Sequence, residues 1–293
     1  MVKRAEFSRI VILESLSSSD LHTGRKIRED IEVSNLFHDR GLQVEFHDVA
    51  KKADFISQLG KLTRETKKLE NNPLIHIEAH GSSDTKGLIL GSGEFVSWEE
   101  LKRPLIDLNI ATRNNLFIVL SACYGAYLTT IVLPTDRAPC FGLVGPKKVL
   151  GAGYLLKSFS RFYQELLASG KGSEAVKQLN LDAGQSGLNY SLTDAETFFA
   201  MVNEKYFGKY CTNSQYDKRA TEIIEQLKAM GKSAPRIGWI KKHYRRTQKQ
   251  YFEKFKTRFF MIDLFPENTN RFTVRYEDIM NQVNSKKPVS STP

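Results

Sequence analysis

Two short segments carry the residue types of acyl-transfer chemistry. In LIHIEAHGSS, residues 74–83, an apolar run alternating with polar side chains stops at His80-Gly81, and in LFIVLSACYG, residues 116–125, a second apolar run stops at Cys123. A thiol attacks an acyl carbon once its proton is removed, and an imidazole beside it removes that proton and later protonates the leaving amine. The tetrahedral intermediate then needs backbone N–H donors aimed at its oxyanion, and a residue without Cβ lets the chain come close enough. His80 and Cys123 are therefore the candidate catalytic pair, with the amides of Gly81 and Cys123 as candidate oxyanion donors.

Such a pair must be positioned by strands. RIVILESL, LQVEFHDV, LIHIEAH, LFIVLSAC and CFGLVGP read as strands; GRKIREDIEVSNLFHDRG, closed by Gly41, ADFISQLGKLTRETKKLE, WEELKRPLIDLNI and LLKSFSRFYQELLASG read as helices. GLILGSGEFVS reads as a hairpin-like insertion, and Trp98 starts the helix that follows it. Apolar strands of about six residues alternating with helices predict an α/β fold with a mostly parallel sheet covered by helices on both faces. Function in such a sheet gathers past the C-terminal strand ends, and sequential parallel strands are usually neighbours, so His80 and Cys123 are expected side by side. From about Thr193 the pattern turns to helices only. The expected division is a catalytic domain over 1–190, a helical extension over 191–283 and a disordered tail over 284–293.

The 293 residues suffice for a full core, and the net charge is +10. Fifteen Lys or Arg against four acids fall within residues 205–258, so this segment of the extension carries a surplus as large as the net charge of the whole chain. A basic segment dotted with aromatics, KKHYRRTQKQYFEKFKTRFF, could meet nucleic acid or an acidic partner, or be a solvated helix face with its rings packed inward. No stretch approaches the ~20 apolar residues of a membrane span and the N-terminus lacks a secretory signal pattern, so a cytoplasmic location is expected. Cys123, Cys140 and Cys211 are too few and scattered for a disulfide framework or a paired zinc motif, which predicts free thiols.

The Ala-Cys-x-Gly of Ala122 to Gly125, with His80-Gly81 upstream of it, resembles the caspase pattern Q-A-C-[RQG]-G, whose histidine lies about 50 residues earlier. The wider text, HGSSDTKGLILGSGEFVSWEEL and VLSACYGAY, is more similar to the bacterial caspase-like peptidases known as CHAT proteins, within the caspase, separase and gingipain clan. The resemblance spans about residues 7–185. It implies the three-layer caspase-hemoglobinase fold, a Cys123 nucleophile, a His80 acid/base, an oxyanion hole from the amides of Gly81 and Cys123, and no cofactor. It further implies a protein substrate, such as a companion effector, cleaved in regulated proteolysis such as bacterial defence or cell death. Where caspases have Gln, this chain has Ser121, so aspartate specificity has no support. Specificity for basic residues would require a carboxylate, for which Asp84 and Asp136 are candidates, each also readable as a turn or cap residue. The alternatives are a catalytically silent caspase-like interaction module, and nucleic-acid binding by the basic extension.

In HIEAH, His76, Glu78 and His80 alternate onto one strand face. With Cys123 assigned to catalysis no further ligand is well placed, so no metal is expected, and Glu78 reads most simply as a buried carboxylate paired with a basic group. His22, in SSSDLHTGR with Asp20 and Arg25, is a candidate substrate contact or part of a helix-capping loop. Cys140 and Cys211 have no evident base.

Overall fold

The computed structural model describes residues 6–69, 71–181 and 189–286. β1 (Arg9–Ser15) is buried along its whole length, as a strand covered on both faces must be. The chain continues through α1 (Thr23–Phe37), β2 (Gln43–Asp48), α2 (Lys52–Leu69) and β3 (Pro73–Gly81), then the short strands β4 (Gly87–Ile89) and β5 (Phe95–Ser97). α3 (Trp98–Ala111), β6 (Phe117–Ser121), β7 (Gly142–Pro146), α4 (Ala152–Ser169), α5 (Gly172–Leu179) and β8 (Tyr190–Asp194) complete this part.

The main sheet runs in the order β2-β1-β3-β6-β7-β8. The first five strands are parallel, and only β8 opposes its neighbour, β7. The hairpin of β4 and β5 extends from the end of β3 by antiparallel pairing, His80↔Ile89 and Gly81↔Leu88. On one face Ile10, Ile12, Leu74, Val119 and Val144 of the strands pack with Ile27 and Ile31 of α1 and with Leu155, Phe159 and Phe162 of α4. α2 and α3 pack together, burying Phe55, Leu59, Leu101 and Leu105. α3 begins with a capping box in which Ser97 accepts from the Glu100 amide and the Glu100 side chain accepts from the Ser97 amide. Trp98 is buried behind it and donates through Nε1 to the Thr85 carbonyl at 2.9 Å, which fastens the helix to the hairpin loop.

The chain divides into two compact units, one of residues 1–132 and 138–195, the other of Leu133–Arg137 with residues 196–293. In the second, α6 (Ala195–Tyr210), α7 (Asn213–Ala229), α8 (Ile237–Phe259) and α9 (Tyr276–Ser285) surround buried Phe198, Phe199, Phe252, Phe259, Phe260 and Phe272. Phe260 and Phe272 stack at 4.2 Å. Leu133–Arg137, a piece of the β6–β7 connection, belongs to this unit through a bidentate Arg137–Asp263 pair, both contacts 2.7 Å, and a bond from Arg258 Nε to the Thr135 carbonyl.

Several features differ from the sequence expectation. α1 ends at Phe37, with His38 closing it rather than Gly41. β8 straddles the expected boundary at residue 190, and α5 precedes it; each is too short for its periodicity to stand out, and β8 is identified by its partner β7. α9 runs to Ser285, so the start of the expected disordered tail is helical, while residues 287–293 lie outside the described residues. Among the described residues no helix is long and apolar enough to cross a membrane.

Candidate active site

The register explains how the candidate pair meets. β3 and β6 are parallel and their last aligned pair is Glu78↔Ser121. His80 lies two residues past Glu78 and Cys123 two past Ser121, so both leave the sheet at the same edge and height. The backbones touch there: a Cβ built on Gly81 would stand 1.7 Å from the Cys123 carbonyl oxygen, so position 81 admits only glycine without moving one of the two chains. Past Cys123 the chain turns through Tyr124, a non-glycine residue with φ 62°. Left-handed backbone in a bulky residue is disfavoured and persists where surrounding structure holds it, a feature concentrated at active sites.

The imidazole of His80 is held from its far side. Its Nε2 lies 3.0 Å from Asp20 Oδ2, in the loop after β1, which is the other parallel neighbour of β3. The same carboxylate oxygen accepts from the backbone N–H and the hydroxyl of Ser17, each at 2.8 Å. The hydrogen bond from His80, followed by those from Ser17, holds the Asp20 carboxyl down at about 2. With Nε2 engaged, Nδ1 is the ring nitrogen left for Cys123. Among the described residues no hydrogen bond joins the two side chains, and the Cys123 Sγ contacts the Leu150 carbonyl at 3.7 Å. Hydrogen bonds between catalytic partners are often long before substrate binds, so the missing contact is compatible with a Cys–His pair.

Beneath the strand exits lies a buried polar network. His76, fully buried, sits between Tyr163 Oη and Glu78 Oε1, each 2.9 Å away. Burial, with the Glu78 charge, pushes the Tyr163 phenol well above its usual range, so it remains protonated. Glu78 Oε2 accepts from Thr23 Oγ1 at 2.9 Å, and the neighbouring buried carboxylate, Glu14, accepts from the Gly24 amide at 2.8 Å. The first turn of α1 is thereby capped by Glu14 of β1 through a backbone N–H and tied to Glu78 of β3 through the Thr23 hydroxyl. Such caps place negative charge at the positive end of a helix.

The remaining candidates fall as follows. His22 occupies the position before α1 but makes no side-chain cap; its Nδ1 lies 2.7 Å from Glu14 Oε2. Asp84 accepts from the Ser82 hydroxyl and the Lys86 amide, organising the turn into β4. Asp136 accepts from the Leu133 amide and belongs to the helical unit. Ser121 is buried, and its Oγ has no hydrogen-bond partner among the described residues. Glu78 is paired with a basic group, His76, and among the described residues no group of three or more His, Cys, Asp or Glu could hold a metal ion. Sequence reasoning noted Asp20 only as a neighbour of His22. The signal for it was an acid in the loop after β1, at the sheet edge where parallel strands end.

The three thiols differ in environment. Cys140 is buried and pushed up to about 12, Cys211 is raised by burial, and Cys123 is partly exposed. Iodoacetamide is expected to label Cys123 first in the folded protein, as read by peptide mass spectrometry. Faster labelling at Cys140 or Cys211 would contradict the arrangement. No protein-family model matches this chain, and no curated protein sequence matches it.

Proposed function

We propose that this chain is a cysteine endopeptidase of the caspase-like clan, similar to the bacterial CHAT-type enzymes, on a caspase-hemoglobinase version of its three-layer α/β fold. The observation that carries the reading is the emergence of Cys123 and His80 from adjacent parallel strands at matching register, with Asp20 bonded to the outer nitrogen of the imidazole. His80 takes the Cys123 proton and Sγ attacks the scissile carbonyl carbon. The oxyanion is met by the amides of Gly81 and Cys123. His80 then returns the proton to the leaving amine, and water, deprotonated by His80, hydrolyses the thioester and releases the second product. The text around the dyad suggests a protein substrate in the cytoplasm, as in bacterial defence or cell death. Asp84 and His22 lie near the strand exits as candidate substrate contacts, Ser121 is buried beneath them and offers no surface to a substrate, and Asp136 remains a candidate by sequence alone.

The test is cleavage profiling. The full chain under reducing conditions is incubated with a proteome-derived peptide library and new N-termini are sequenced by mass spectrometry. A consistent residue preference before the cleaved bond is expected, absent with Cys123→Ala. Identical cleavage by that variant would assign the activity elsewhere.

A further inference from the structure

The cations of α8 are not equivalent. Its inner face carries Ile240, Phe252 and Phe259, all buried, and on the adjoining flank Lys241 pairs with Asp217, Arg245 Nη2 donates to Asn213 Oδ1, and Lys249 pairs with Glu277. Those charges are spent inside the helical unit. The outer stripe is different. Trp239, Lys242, His243 and Arg246 follow at the i, i+3, i+4, i+7 spacing of one helix face. With Thr247 they line a concavity of about 340 Å³. Among the described residues neither Lys242 nor Arg246 has an ion-pair or hydrogen-bond partner. Trp239 is 61% exposed, and its ring lies nearly parallel to that of His243, at 5.6 Å and 12°.

An exposed indole beside two cations that have no partner among the described residues offers a stacking face and positive charge at one place. We propose that this stripe is a binding site for single-stranded nucleic acid, with a base stacked on the Trp239–His243 pair and the adjoining phosphates met by Lys242 and Arg246. Two features select this ligand among anions. The charge surplus of residues 205–258 draws any polyanion, but the carboxylates of an acidic peptide bring no flat ring to the indole, whereas every nucleotide carries one beside its charge. A duplex keeps its bases stacked internally, whereas an open strand presents each base with a free face. Lys242 and Arg246 stand about one helical turn apart, on either side of His243 and beyond Trp239, so the strand runs along the helix.

Tryptophan fluorescence reads the site directly, because the only other tryptophan, Trp98, is 1% exposed. The full chain is titrated with an oligouridylate of about twelve nucleotides, within the usual ~4–16-nucleotide site size. Duplex RNA and polyglutamate of matched charge serve as competitors. Quenching that saturates with the oligouridylate is expected. With a labelled strand followed by anisotropy, Trp239→Ala should weaken binding on the order of tenfold or more, and Trp239→Phe should restore part of it. The double substitution Lys242→Ala with Arg246→Ala should lower the slope of log affinity against log salt by about 1.4, at ~0.7 per phosphate contact on a single strand. Circular dichroism checks that each variant stays helical. Polyglutamate or duplex binding as tightly as the single strand, absence of quenching, or unchanged affinity in folded Trp239→Ala would overturn the assignment.

Discussion

Cys123→Ala and His80→Ala are each expected to remove the proposed peptide-bond cleavage, by about a thousandfold or more, with the double variant no worse than either single one. A nucleophile and its base act as a unit, so removing one leaves the other nothing to do and the losses do not add. Both variants should fold normally, since His80 is exposed at the strand exit and Cys123 is only partly covered. Asp20 belongs to the same expectation as a positioning residue. Asp20→Ala frees the ring nitrogen now held at 3.0 Å, and the loss should appear in kcat more than in KM, on the order of tenfold. Because the carboxyl is held at about 2, it is ionised throughout any ordinary assay range, and the limbs of the activity profile report other groups. The sign for stability follows. A depressed carboxyl contributes stability that is present above its unfolded value near 4 and is lost as pH falls through about 2, so wild type and Asp20→Asn should converge in stability there. Turnover retained in folded Cys123→Ala would end the peptidase reading.

Glu78→Ala is expected to cost the most stability of any single change at the site. It removes the partner of both His76 Nε2 and Thr23 Oγ1, all three being buried. Breaking a buried pair from one side costs roughly 3–5 kcal/mol, a large share of the ~5–15 kcal/mol that holds a domain together. The first turn of α1 would lose one of its two anchoring carboxylates, with Glu14 on Gly24 remaining. Glu78→Gln, which keeps the shape and an accepting oxygen for Thr23, should cost clearly less. Denaturant unfolding measures both: the midpoint should drop with little change in slope. A midpoint within ~0.5 kcal/mol of wild type for Glu78→Ala would show that the network contributes no net stability.

What the sequence by itself determined was local. The apolar runs that end at His80 and Cys123 identify two strand exits, because side-chain alternation and burial are written into consecutive residues. Gly81 reads in the sequence as leaving room for an oxyanion at its amide, and the structure gives the glycine a different reason, the Cys123 carbonyl standing where its Cβ would be. The alternation of strands and helices likewise determined the parallel α/β sheet. Tertiary structure decided which exits are neighbours. β3 lies between β1 and β6, and that order alone brings Asp20 to His80 across 60 residues of chain. It also decided that α1 is capped by Glu14 rather than by His22, with Glu78 holding the Thr23 hydroxyl, and that the short strand β8 closes one edge of the sheet against β7. In α8 the sequence showed a run of like cations, and only the packing of α7 and α9 around it separated Lys241 and Lys249, which are compensated, from Lys242 and Arg246, which are not. The physical reason is common to all of these. Hydrogen bonds and ion pairs between residues far apart in the chain depend on the global arrangement of elements, and the periodicity of any one segment carries no information about its distant partners.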